Sequence, residues 1–206
     1  MIYQELSNEW RIAFELSVKA FKHGALPIGC VVTDCEGKVI SQERAHMVYG
    51  SKHSNVTQHA EMGALSKIAL PDLEQRLTLY TTIEPCPMCF GAINCARVAE
   101  LHFGTYDPWG GSTNLAGGNW YMRRKPIDIQ PADVHFQQVM ALFLVYAMMK
   151  TPKGFGSLDN EFVDRWGQIV PNIKPKIGGL IDSGFSKFRR AEEIFSALAL
   201  RGVGNE

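Results

Sequence analysis

The chain has 206 residues, 46% of them apolar, which is enough to bury a full core and suits one domain plus an appendage. Twenty-one Lys and Arg balance 21 Asp and Glu, and a net charge of zero removes the usual electrostatic footprint of a nucleic-acid binder while leaving room for a local basic patch. Five cysteines do not make a disulfide framework, and the longest apolar run, Val139 to Met149, is too short to span a bilayer. No secretory signal precedes the first predicted helix, so the expected compartment is the cytoplasm.

In chain order, Trp10, Phe14, Val18 and Phe21 share one face of a packing helix that ends near Gly24. Residues 27–34 and 38–42 read as strands around the turn Asp34-Cys35-Glu36-Gly37, an antiparallel hairpin. Cys30 and Cys35 lie on it, and a strand thiol and a turn thiol are expected there rather than a disulfide. Residues 43–56 form a polar loop of the kind that shapes a pocket, and Thr57 is the expected N-cap of a helix running to about Ile68. Residues 78–84 are an apolar strand leading into a helix that opens at Pro87. With residues 98–104 as the next strand, this is the pattern of a right-handed parallel crossover. Residues 105–125 are rich in Gly, Trp and Asn, lack periodicity and end in Arg123-Arg124-Lys125. Ile127 to Ile129 reads as a fifth strand and Asp133 to Lys150 as an apolar helix. Residues 151–157 read as a linker, followed by a short helix near 159–169, a Pro-rich connection, and a helix from about Ser183 to Leu200. Phe185, Phe188, Phe195 and Leu198 give this last segment a docking face, for the core or for a second subunit.

The chemistry concentrates in His59-Ala60-Glu61 and Pro85-Cys86-Pro87-Met88-Cys89. One imidazole and two thiols make three ligands, the number a hydrolytic zinc keeps while leaving its fourth position to water. Cys86 and Cys89 are three apart, so a helix opening at Pro87 puts both sulfurs on one face, where the helix dipole favours thiolates. His59 and Glu61 are two apart and converge only where a helix begins. Two rivals remain: a thioredoxin-like redox pair, which has no use for His59 and Glu61, and a closed structural zinc with Cys95 or His53 as fourth ligand.

His-x-Glu followed by Pro-Cys-x-x-Cys, within the longer run Leu79 to Ile93, resembles the cytidine-deaminase-like zinc hydrolases. The resemblance covers roughly residues 1–150 and is closest to the branch of tRNA adenosine deaminases and bacterial guanine deaminases. It implies a three-layer α/β/α deaminase fold with a mixed five-stranded sheet over residues 1–150, followed by a helical C-terminal extension over 151–206. It further implies a Zn2+ held by His59, Cys86 and Cys89, with Glu61 as proton shuttle in hydrolytic deamination. Backbone groups around Ala60, Ile83 and Glu84 are expected to hold the base, with Asp107 at the pocket edge. His46, in the loop ahead of His59, is a further candidate contact, and relatives in this branch suggest a homodimer.

Two departures bear on substrate. The Asn that related enzymes carry after the second strand is absent from Glu43-Arg44-Ala45-His46-Met47, and Asn55-Val56 stands where Asp-Pro is frequent. With the neutral charge and short basic clusters, these favour a free nucleobase or nucleoside, a purine of guanine or adenine type, over a tRNA wobble adenosine.

Overall fold

A computed structural model describes residues 2–69, 76–150 and 164–202. Ser7 accepts a hydrogen bond from the Trp10 N–H and opens α1 (Asn8–Lys22), which ends where Gly24 takes a positive φ of 81°. The predicted hairpin is β1 (Gly29–Thr33) and β2 (Val39–Arg44), its turn held by Asp34 Oδ1, which accepts from the N–H groups of Glu36 and Lys38. Cys30 is buried in β1 and Cys35 exposed in the turn, both as free thiols. After α2 (Ala60–Leu65) come β3 (Thr78–Thr81), α3 (Pro87–Cys95), β4 (Glu100–Phe103), the short α4 (Trp120–Arg123) and β5 (Asp128–Pro131).

The five strands form one sheet in the order β2-β1-β3-β4-β5. β1 runs antiparallel to both neighbours, while β3, β4 and β5 are parallel, so the sheet is mixed and α3 is the crossover between β3 and β4. All of β1 is buried because helices cover both its faces. On one face, Cys30 and Val32 pack with Leu79 and Leu101 against Ala60 and Ala64 of α2 and Phe90 and Ile93 of α3. On the other, Val31 and Tyr80 meet α1, whose Trp10 lies with its ring 4.8 Å from that of Phe136 in α5 (Val134–Lys150). This is the three-layer α/β/α arrangement.

The continuous run Val139 to Met148 of α5 is buried, so this helix carries apolar side chains all round. Its outer side is covered by α6 (Ile173–Asp182) and α7 (Ala191–Gly202). Phe195 of α7 meets Phe14 at 5.1 Å and stacks near Phe136, and Phe185 meets Tyr146 at 4.8 Å. The docking face expected of the C-terminal aromatics therefore packs on the core of the same chain.

Several boundaries differ from the sequence reading. Thr57 caps nothing: its hydroxyl donates to Asn55 Oδ1 at 2.7 Å, and His59 itself is the N-cap residue of a helix that stops at Leu65. The last predicted helix starts at Ala191 rather than Ser183, because Gly184 at φ 67° breaks the chain before a 3-10 turn over Phe185–Lys187. The Pro-rich connection contains α6, which tolerates Pro175 at its third position, where no helical partner awaits the missing N–H. The predicted linker 151–157 lies outside the described residues, as does the start of the helix near 159–169, of which 164–166 are helical.

Phe195 is fully buried between α1 and α5. Phe195→Ala is expected to destabilise the chain by about 3–5 kcal/mol, read from the urea midpoint at unchanged m-value. A loss below about 1 kcal/mol would show that α7 is not part of the core.

Candidate metal centre

Both site helices begin on the same face of the sheet. α2 is tied to β2 by the Ser41 hydroxyl, which donates to the Ala64 carbonyl at 2.7 Å, and by the close approach of Gly63, where a Cβ would lie 2.6 Å from Glu43 Cγ. His59 precedes its first turn with an extended backbone (φ −78°, ψ 154°), which lets the ring turn away from the helix axis. Cys86 is the N-cap residue of α3, Pro87 its first residue and Cys89 its third.

His59 Nδ1 consequently lies 3.4 Å from Cys89 Sγ and 3.7 Å from Cys86 Sγ, and the three donor atoms fall within 4.8 Å of one another. Tetrahedral zinc with its usual Zn–N and Zn–S bonds separates N and S donors by about 3.6 Å, so the residues present fit that ion. The proposed fourth ligands of a closed site, Cys95 and His53, are outside this donor group among the described residues. With the sulfurs facing one another, the Cys86 thiol is held down to about 4, first by the hydrogen bond from Cys89, against the effect of burial, and further by His59. Cys89 is driven upward by the same bond to Cys86 and by burial beside Glu61. A coordinated cation would remove this competition and deprotonate both.

Glu61, the second residue of α2, is 2% exposed. Burial raises its pKa. Oε1 accepts from the Thr81 hydroxyl at 2.9 Å, and Oε2 lies 3.4 Å from Cys89 Sγ, so the carboxylate is aimed along the donor group.

His59, Glu61, Cys86, Ile83, Glu84 and Asp107 all line one cavity of about 280 Å³. Ala60 is fully buried and lies outside that lining. His46 is also outside it: its Nε2 sits 2.8 Å from Glu43 Oε1, beside a shallow depression bordered by Thr57, Met62 and Ser66. The cavity adds residues the sequence did not single out, among them Met47, Tyr49, Gln58, Trp109, Leu144 and Met148. Gln58 carried a signal in its adjacency to His59. Leu144 and Met148 carried none, because α5 is apolar on every side.

The Glu84 and Asp107 side chains build one wall rather than reaching outward. Glu84 accepts from the N–H groups of Asp107 and Thr113, both at 3.1 Å, and from the Thr113 hydroxyl. Asp107 Oδ1 accepts from the Trp109 N–H at 3.0 Å, and burial raises the Asp107 pKa. The turn passes so close to Glu84 that a Cβ on Gly111 would lie 2.0 Å from Oε2 and 2.7 Å from the Asp107 carbonyl.

Residues 4–105 match the family model of the cytidine and deoxycytidylate deaminase zinc-binding region. That segment belongs to this family. Its zinc is the metal that the His59, Cys86 and Cys89 donor set fits. The tRNA-specific adenosine deaminase of Bacillus subtilis (strain 168) is 38% identical over 102 residues, 48% of this chain and 61% of that protein. A probable cytosine deaminase of Schizosaccharomyces pombe is 38% identical over 96 residues, 46% of this chain and 56% of that one. The match thus spans about three-fifths of these curated relatives. A structure from work on A-to-I editing by tRNA:A34 deaminases superposes with a TM-score of 0.50 at 29% identity, over 60% of this chain and 96% of that chain. A guanine deaminase from Nitrosomonas europaea gives 0.52 at 20% identity, over 68% and 84%, and shows the fold alone.

Gly111→Ala is expected to push the 107–113 turn off Glu84, lowering stability by about 1–3 kcal/mol in thermal or urea unfolding. An unchanged midpoint would mean the turn yields without cost.

Proposed function

We propose that the chain is a zinc-dependent hydrolase of C–N bonds in cyclic amidines, removing the exocyclic amine of a nucleobase or nucleoside, a purine of guanine or adenine type. The observation that carries this reading is a buried carboxylate, Glu61, set beside a three-donor group, with Glu61, His59 and Cys86 lining one cavity. A zinc ion held by His59, Cys86 and Cys89 would leave one position for water and bring its acidity toward neutral pH.

The protein's own part is proton traffic and positioning. Glu61, poised upward by burial, takes a proton from the attacking water and gives it to the ring nitrogen beside the amine. The second water proton goes to the amine as the C–N bond breaks, so amine plus water becomes carbonyl plus ammonia. Thr81 holds Oε1, while Oε2 lies against Cys89 Sγ beside the donor group. Backbone groups at Ile83 and Glu84, which line the cavity, orient the ring. The apolar lining, Leu26, Ile28 and Leu144 among it, excludes water from the ring faces.

The cavity is at the small end of the range for small-molecule sites, and the chain is electrically neutral, both of which favour a free base or nucleoside. A second reading, adenosine to inosine in tRNA, is supported by the 38% identity to the Bacillus subtilis tRNA-specific enzyme. We extend the main reading to a cytoplasmic homodimer, with 1–150 as catalytic domain and 151–206 as helical extension. No helix among the described residues is long and apolar enough to cross a membrane.

Elemental analysis is expected to find one zinc per chain, and Cys86→Ala or Cys89→Ala to lose metal and activity together. Zinc-free preparations that remain active would refute the metal reading. Glu61→Gln should retain zinc and substrate affinity while kcat falls at least about a hundredfold; surviving activity removes Glu61 from proton transfer. Ammonia release should be measured across free bases, nucleosides and an anticodon stem-loop. Inosine in the stem-loop with no turnover of any small molecule would transfer the function to tRNA.

A further inference from the structure

Trp109 lines the cavity yet is 68% exposed, an unusual position for a large apolar ring. It stands on a turn that the fold goes to some length to fix. Two carboxylates, Glu84 and Asp107, are committed to it. Asp107 accepts from the Trp109 N–H, and Glu84 grips the residues on either side, Asp107 and Thr113. The Gly111 N–H donates to the Asp107 carbonyl at 2.9 Å and the Ser112 N–H to the Pro85 carbonyl at 3.0 Å, tying the turn to the residue ahead of Cys86. Gly111 admits Glu84 where no side chain fits. Carboxylates taken out of water are costly unless hydrogen-bonded, and these bonds serve a turn whose outward product is one indole at the cavity rim.

We propose that Trp109 is a substrate-binding residue, the aromatic platform on which the flat heterocycle stacks as it enters the cavity, and that the Glu84 and Asp107 carboxylates are positioning residues that hold it there. This rests on the proposed deaminase reading, which supplies the flat ring. Stacking tolerates every base because each has a π-face, so Trp109 sets affinity while the hydrogen-bonding groups deeper in the cavity set identity.

The test uses the full-length zinc-loaded protein. Ammonia release and calorimetric binding are measured with guanine, adenine, cytosine and their nucleosides for wild type, Trp109→Ala, Trp109→Phe and Trp120→Ala. Trp120 is comparably exposed, at 65%, but lies on α4, away from the cavity lining. Trp109→Ala is expected to raise KM and Kd about 5- to 100-fold with kcat within about threefold, Trp109→Phe to recover most of the loss, and Trp120→Ala to change neither. Zinc content and unfolding midpoint equal to wild type exclude misfolding as the cause. If wild type turns over a base and Trp109→Ala binds it equally well, the platform is wrong and the deaminase reading stands. If wild type neither binds nor turns over any of these compounds, the reading as a deaminase of free bases or nucleosides fails and the platform with it.

Discussion

The start of a helix is where backbone N–H groups lack partners and side chains can still turn across the axis, and this molecule sets two such starts side by side on one sheet face. His59 and Cys86 are both N-cap residues, and neither uses its side chain to cap. The donor atoms therefore approach one another to within 4.8 Å, and their positions depend on how α2 and α3 sit on β1 and β3. The Ser41 bond to Ala64 and the close contact at Gly63 fix α2, while Pro87 fixes the first turn of α3.

Around that group the chain keeps acidic side chains out of water and satisfies them with neutral donors. Glu61 is met by the Thr81 hydroxyl, and Glu84 and Asp107 by backbone N–H groups. A buried carboxylate held this way keeps its orientation but pays desolvation, which is why Glu61 and Asp107 are both shifted upward. For Glu61 that shift suits the proton-shuttle role proposed for it.

The opposite face of the sheet is built for packing. α5 is enclosed by α1 on one side and by α6 and α7 on the other, and its Leu144 and Met148 still reach the cavity wall. Among the described residues, the C-terminal helices bear on the site through α5, and none of their residues lines the cavity. A change in how α7 seats against Phe14 and Phe136 would be felt at that wall, because close-packed cores transmit displacement.

What the sequence by itself determined is local and chemical. The donor types and their spacings in His-x-Glu and Pro-Cys-x-x-Cys are properties of a few adjacent residues, and so are the antiparallel hairpin around Asp34 to Gly37 and the helix signalled by Trp10, Phe14, Val18 and Phe21. The parallel pairing of β3 and β4 through α3 was legible in the succession of a strand, a helix and a strand. Tertiary structure decided the rest. Thr57 looked like a cap, but its hydroxyl went to Asn55, a choice made by loop closure. Gly184 divided a segment whose periodicity alone reads as one helix. His46 was near His59 in sequence and is bound to Glu43 instead, while Trp109, Leu144 and Met148 come to the cavity from distant segments. Membership in a cavity is set by how separate elements pack, and an all-round apolar helix or an aperiodic loop carries no local mark of which side chain will face it.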